Sequence, residues 1–381
     1  MESPATIHTP APGPVGSALA TPAARLEAAA LALRQACRDC GQCVAACAFL
    51  QHHGTPGQVA AAWLAGRAES ATPYLCSLCG LCRASCPRGA RPAEFFLAWR
   101  EVAAGNDLDW RPYRGLLAYQ RRGTRPAFSQ HYLPPGCQTV FFPGCALPGA
   151  APELVRRTWL RLAAAEPGLG LVLDCCWRPS AYLGRMGEHL AGLARLLGRL
   201  TQAGVRRIWT ACPNCLRSLR GAGADLAVAS VYEALAELAP PAGGLGGAVG
   251  LHDPCVSRFD DGIQAAARQL LAQAGLGLVE LASSGRDTIC CGEGGAVGLA
   301  APQLARAWLE RRRAGMDGLP LVAYCAGCVL RYRRAGLDCR HLLAVTLAPD
   351  LAAARPPSPP LAYLNRHRLV RRLRRWSADP A

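Results

Sequence analysis

Thiolates dominate the chemistry open to this chain. Twenty cysteines occur in 381 residues, and eighteen fall into four sets that form two matched pairs. The first pair reads Cys37-x2-Cys40-x2-Cys43-x3-Cys47 and Cys76-x2-Cys79-x2-Cys82-x3-Cys86-Pro87. The second reads Cys145…Cys175-Cys176…Cys212-x2-Cys215 and Cys255…Cys290-Cys291…Cys325-x2-Cys328. In the first pair, tight spacing lets one looping backbone present three thiolates to a single [4Fe-4S] cubane. With two such motifs, the fourth cysteine of each ligates the other cluster. The expected ligand sets are Cys37, Cys40, Cys43 and Cys86 for one cubane, and Cys76, Cys79, Cys82 and Cys47 for the other. A four-thiolate zinc site uses two separated Cys-x2-Cys pairs instead. Ala48 stands where proline usually follows the fourth cysteine, which bears on the turn more than on the ligands.

Each set of the second pair offers five thiolates, one more than a cubane takes. Adjacent Cys-Cys plus Cys-x-x-Cys in both copies weighs against inert core cysteines and against a thioredoxin-type redox pair, without eliminating either. Cys137 and Cys339 lie outside all four sets and read as buried spectators. His252-Asp253-Pro254 precedes Cys255, so His252 is a candidate proton donor, although a histidine at a strand end is more often structural.

The elements that must hold these thiols follow from the intervening sequence. Residues 1–20 are rich in Pro, Ala, Thr and Gly and read as a disordered tail. Thr21-Pro22 and Thr55-Pro56 are helix starts, with Thr at the N-cap and Pro in the first turn. A third helix opens at Pro92 and carries Phe95, Phe96, Trp99 and Val102 on one face. Residues 21–135 therefore read as an α-helical domain around eight cysteines, ending in an interdomain connection from Arg111 to Pro135. Beyond it the pattern becomes βαβ. Strands are predicted at Thr139–Phe142, Leu171–Leu173 and Arg207–Thr210, with helices near Glu153–Ala164 and Met186–Ala203. After the Pro/Gly-rich run Ala239–Gly247, strands return at Val249–His252, Leu278–Leu281 and Leu321–Tyr324, with helices near Gly262–Ala274 and Gln303–Ala314. The cysteine groups recur at matching intervals, so residues 136–245 and 246–349 read as a duplicated α/β unit. Ligands of open α/β sheets bind beyond the carboxyl ends of the strands, so the cysteine groups of each copy should converge there. Residues 350–381 form a Pro-rich linker and a basic tail.

The second pair resembles the cysteine-rich CCG domain, here PGC145A…DCC176W…ACPNC215L and HDPC255V…CC291GEGG…YCAGC328V. Over about residues 25 to 345 the chain resembles the iron–sulfur subunit of heterodisulfide reductase, in the form that fuses a dicluster ferredoxin domain to twin CCG domains. That resemblance implies a noncubane [4Fe-4S] cluster on Cys145, Cys175, Cys176, Cys212 and Cys215, and another on Cys255, Cys290, Cys291, Cys325 and Cys328. It also implies that the paired clusters split a disulfide-type substrate. Related proteins include iron–sulfur subunits of glycolate, lactate and glycerol-3-phosphate dehydrogenases, which relay electrons from a flavoprotein without chemistry of their own. Glycine follows the cysteine pair in the second copy, as Gly292, whereas the first copy has Trp177. Since a bulky side chain disfavours positive φ, the first site is expected to be the drier, with substrate entering from the second.

Composition narrows the rest. The N-terminus has no basic start and no apolar core of a secretory signal, and no apolar run is long enough to span a membrane. The expected location is the cytoplasm, with association on the inner membrane face as a further option. The formal charge is +16, and all 42 basic residues are Arg, which fits a GC-rich genome. Cluster charge offsets much of the excess, and no nucleic-acid-binding motif accompanies it. Gly292-x-Gly294 does not complete a dinucleotide fingerprint, so electrons should come from a redox partner, a flavoprotein or a membrane cytochrome subunit. In the tail, Leu369, Leu373 and Trp376 recur at helical spacing among arginines, as in a basic amphipathic helix that docks on an anionic membrane or an acidic partner.

Overall fold

The computed structural model describes residues 21–106, 108–223, 225–238, 246–316 and 318–378. The N-terminal tail 1–20, most of the Pro/Gly-rich run at 239–247 and the side chain of Trp376 lie outside the described residues. Helix α1 (Pro22–Ala36) begins where Thr21 accepts the Ala24 N–H. Helix α2 (Pro56–Leu64) is closed by a reciprocal capping box between Thr55 and Gln58. Helix α3 (Pro92–Ala104) buries Phe95, Phe96 and Trp99 against Leu26, Leu33, Phe49 and Val59. Among the described residues, no strand precedes Gln130.

The stretch read as a connection carries more structure than its Pro, Gly and Arg content suggested. It holds helix α4 (Arg114–Gly123) and strand β1 (Gln130–Tyr132). Strand β1 pairs antiparallel with β3, so the first sheet begins at Gln130 rather than after Pro135.

The first sheet continues with β2 (Thr139–Phe142), β3 (Gly170–Leu173), β4 (Arg207–Thr210) and β5 (Ala227–Ser230). Between and beyond them run α5 (Pro152–Ala163), α6 (Met186–Gln202) and α7 (Pro213–Arg220). Its order is β1-β3-β2-β4-β5, parallel except for β1. The second sheet has β6 (Ala248–His252), β7 (Gly277–Val279), β8 (Leu321–Ala323) and β9 (Cys339–His341). Its helices are α8 (Asp261–Gln273), α9 (Pro302–Ala314) and α10 (Ala326–Arg334). The order β7-β6-β8-β9 is all parallel. It repeats the β3-β2-β4-β5 order of the first sheet strand for strand. One hydrophobic core runs through both, from Phe141 and Leu171 to Leu251 and Val322.

The C-terminal segment departs most from expectation. It forms helix α11 (Pro359–Ala378), which belongs to the fold. Leu369, Val370 and Leu373 are fully buried in the shared core, and the helix lies over β1 and the 147–150 turn. Leu369 and Leu373, expected on a face that docks on a membrane or an acidic partner, are thus already covered within the fold. Arg368, Arg371, Arg372 and Arg375 face outward.

Candidate metal centres

The two tight-spaced loops share one backbone shape. Asp39 and Leu78, each two residues after the leading cysteine, adopt left-handed φ of 53° and 51°. Gly41 and Gly80, after the second cysteine, have φ of 78° and 73°. This coil turns the chain around its sulfurs, and the Leu78 N–H donates to Cys76 Sγ at 3.4 Å. Gly57 lies against the first loop, where a Cβ would sit 3.0 Å from Cys37 Sγ.

The fourth cysteine of each loop lies near the thiols of the other loop. Burial and the charges of Cys37, Cys40 and Cys86 push the Cys43 thiol up to about 11. Burial, together with Cys76, Cys79 and Cys47, pushes Cys82 well above the thiol range. The first group lines a cavity of about 150 Å³ at the surface, with Cys40 exposed. Among the described residues, no three His, Cys, Asp or Glu side chains converge tightly enough for one metal ion.

In both cysteine-rich units the thiols gather beyond strand ends, as open α/β sheets dictate. Cys145 follows β2, Cys175 and Cys176 follow β3, and Cys212 caps α7, whose first turn carries Cys215. In the second unit Cys325 caps α10, whose first turn carries Cys328. Cys255 and Cys291 lie beside Cys290 and hold its thiol well below the ordinary range. Cys176 is likewise lowered, by Cys215 beside it. The Trp177 N–H donates to Cys175 Sγ at 3.4 Å, and the Gly292 N–H donates to Cys290 Sγ at 3.2 Å. Such donors to sulfur suit thiolate ligands of a cluster. The packing is close: a Cβ on Gly144 would lie 3.4 Å from Cys215 Sγ, and one on Gly294 would lie 3.1 Å from Cys290 Sγ. The donor set and its surroundings therefore fit iron–sulfur groups.

The four groups form a continuous series. Cys43 adjoins Cys82, linking the two tight loops. Cys290 adjoins Cys76 and Cys79, linking the inner loop to the second cysteine-rich unit. Cys325 adjoins Cys212 across the two units and is held well below the thiol range by Cys212 and Cys328. The series ends at a cavity of about 370 Å³ lined by Cys145, Tyr119, Phe128 and Tyr363 on one side and by Glu293 and Leu330 on the other. Burial, and then the neighbouring Cys145, pushes the Tyr119 phenol well above its ordinary range. Desolvation raises the Glu293 carboxyl in the opposite wall.

This cavity reverses the expected asymmetry. Trp177 takes a left-handed φ of 55°, because the turn delivers its N–H to Cys175, as Gly292 does to Cys290 at φ 89°. Its ring points to α6, where a Cβ on Gly192 would fall 2.1 Å from it, and Arg195 stacks over it. The ring therefore does not seal the site. In the first set Cys145 and Cys212 are partly exposed; in the second only Cys255 is. Trp177→Gly is expected to lower stability by roughly 2–4 kcal/mol through lost packing and to leave redox potentials unchanged. Thermal unfolding and an EPR-monitored titration check this.

Other candidates lie away from the cavity. His252 is fully buried, with its ring edge-on to Tyr332 and Nδ1 3.3 Å from Arg312 Nη2. Burial and Arg312 hold it well below the imidazole range, and its ring packs in the core against Tyr332 rather than lining the cavity. Cys137 and Cys339 are buried; Cys137 Sγ donates to the Thr139 carbonyl at 3.2 Å. Sequence reasoning missed Tyr119 and Arg366, which reach the cavity from α4 and α11, far from any cysteine motif. The arginines gave no signal in a chain with 42 of them.

Comparison with known proteins agrees with this layout. A model of the 4Fe-4S dicluster domain matches residues 36–91, and a model of the cysteine-rich domain matches twice, at 139–220 and 249–333. The chain is 25% identical to a subunit of the dihydromethanophenazine:CoB–CoM heterodisulfide reductase of Methanosarcina barkeri, over 62% of this chain and 66% of that protein. The chain thus spans just under two thirds of that relative's length. No helix among the described residues is long and apolar enough to cross a membrane. The chain thus combines a 4Fe-4S dicluster domain with two cysteine-rich domains, each with its thiols gathered beyond one sheet, and in this it is similar to the iron–sulfur subunits of heterodisulfide reductase.

Proposed function

We propose that the chain carries two cubane and two noncubane [4Fe-4S] clusters on its eighteen grouped cysteines and delivers electrons to a disulfide in the cavity beside Cys145. One observation carries this reading: the thiol groups run without a break from exposed Cys40 to a cavity walled by both cysteine-rich units. Electrons would enter at the Cys40 loop from a redox partner, a flavoprotein or a membrane cytochrome subunit. They would then pass through the Cys76 group and the Cys290 group to the Cys145 group. Cleavage of R–S–S–R′ consumes two electrons and two protons and yields two thiols. When bound, the paired clusters supply one-electron chemistry suited to this two-electron bond. The chain's own part is positional. Phe128, Leu330 and Tyr363 give the cavity apolar walls, Tyr119 sets a phenol beside Cys145, and Arg366 fixes the Cys145 carbonyl at 3.2 Å.

The test is anaerobic turnover of cluster-loaded protein with reduced viologen and a panel of low-molecular-weight disulfides. Two thiols formed per two viologens oxidised, with loss of turnover on narrowing the cavity by Ala150→Phe, supports the reading. No thiol from any disulfide, together with rapid reduction by a flavin dehydrogenase, would make the chain a relay subunit instead.

A further inference from the structure

Arg100, Arg258 and Arg366 are each 3% exposed or less, and their guanidinium groups have no carboxylate partner among the described residues. Each donates to the backbone carbonyl of a grouped cysteine. Arg100 reaches Cys76 O at 2.6 Å, Arg258 reaches Cys79 O at 3.1 Å, and Arg366 reaches Cys145 O at 3.2 Å. Arg312 is buried as deeply, but its contacts are His252 and the Ser283 carbonyl rather than a grouped cysteine. The remaining donors of the first three also go to carbonyls. Arg100 binds Pro73, Tyr182 and Gly295, and so ties the helical domain to both cysteine-rich units. Arg258 crosses from the second unit and also binds Arg286 and Thr288. Carbonyl dipoles satisfy hydrogen-bonding needs, but they do not neutralise a full charge, and a buried charge requires a counter-charge.

Arg100 and Arg258 flank the same group, that of Cys76, Cys79, Cys82 and Cys47. Among the described residues the outer group has no such buried partner: Arg38 and Arg88 reach solvent, where their field is screened, and Arg34 is half exposed and paired with Asp39. We propose that Arg100 and Arg258 are the counter-charges of the inner cubane and set its potential above that of the outer one, so that electrons entering at Cys40 move inward. The inference rests on the cluster assignment, not on the disulfide reading. Reduction adds one negative charge to a cluster, and a fixed positive charge in a low-dielectric site favours that reduced form. Burial makes Arg100 and Arg258 effective where surface arginines are not. Arg258 is a positioning residue, and the step it governs is one-electron transfer from the outer to the inner cubane.

The test uses full-length, cluster-loaded protein and redox titration followed by EPR, with iron and sulfide content measured in parallel. Arg258→Met removes the charge and keeps the apolar stem; Arg258→Lys keeps the charge and loses the fork of hydrogen bonds. The expected result for Arg258→Met is a loss of at least about tenfold in the equilibrium favouring the inner cubane, about 59 mV for a one-electron couple. The outer cubane should stay unmoved, and Arg258→Lys should stay near the parent value. If Arg258→Met fails to assemble the inner cubane while Arg258→Lys assembles it at the parent potential, the charge requirement is equally supported. An unchanged inner potential in a fully loaded Arg258→Met protein overturns the proposal. So does an equal shift of both cubanes, or a Lys variant that behaves like the Met variant.

Discussion

Cys86→Ala is expected to remove the cubane proposed on Cys37, Cys40 and Cys43, although Cys86 lies only four residues beyond Cys82. The reason is the proposed crossed ligation: the Cys43 thiol is raised by burial and by Cys37, Cys40 and Cys86, and the Cys82 thiol by burial and by Cys76, Cys79, Cys47 and then Cys43. With four clusters bound, the parent should hold about 16 iron and 16 sulfide per chain, and each single variant about 12. Double variants separate crossed from local ligation. Cys40→Ala with Cys86→Ala strikes one cluster twice and should still hold about 12 iron. Cys79→Ala with Cys86→Ala strikes both and should hold about 8. Elemental analysis with acid-labile sulfide reads this directly. The reverse pattern, 8 for the first double and 12 for the second, means that each loop ligates its own cluster.

Much of the fold that holds the cysteines was legible in the chain because turn and strand signals coincide with the cysteine spacing. Strands Thr139–Phe142 and Arg207–Thr210 were bounded correctly because each is a short apolar run ended by turn residues. The strand predicted at Leu278–Leu281 instead spans Gly277–Val279, since a glycine at the start of a run reads as a breaker. Strands β1, β5 and β9 were missed: Gln130–Tyr132 and Cys339–His341 carry polar side chains, and Ala227–Ser230 is built of small ones. Such edge strands take their place from tertiary pairing rather than from propensity. The cavity was not legible at all. Its walls come from Tyr119, Cys145, Glu293, Leu330 and Tyr363, residues distant in sequence. The left-handed Trp177 was misread because a side-chain preference of about 1–2 kcal/mol was set against nothing, whereas in the fold it opposes an N–H···S hydrogen bond and a packed indole.

Truncation before Pro359 is expected to cost the chain its fold, not merely a docking surface. Helix α11 buries Leu369, Val370 and Leu373 in the core shared by both sheets. Burying such side chains is worth roughly 1.5–3 kcal/mol each, so three contribute on the order of 5–9 kcal/mol as an upper bound. That is comparable to the whole stability of a typical domain, about 5–15 kcal/mol. The loss extends to polar contacts. Arg366 bridges the carbonyls of Gly123, Phe128, Cys145 and Asp174, and His367 Nδ1 meets the Ala127 carbonyl at 2.9 Å. Without the helix, the segment leading into β1 loses its cover and the cavity loses the wall formed by Pro359, Ala362 and Tyr363. Chain 1–358 should therefore be insoluble, or should unfold well below the parent temperature with the Cys145 site unformed. Leu369→Ala with Leu373→Ala should reproduce much of this loss, at about 2–5 kcal/mol per site. Replacing Arg368, Arg371, Arg372 and Arg375 by Gln should leave the melting temperature nearly unchanged, because these side chains face solvent. If the four-Gln variant keeps its fold but no longer binds anionic vesicles that the parent binds, the helix has a docking role on its outer face as well. If chain 1–358 melts with the parent, the packing described for α11 is not what holds the first sheet together.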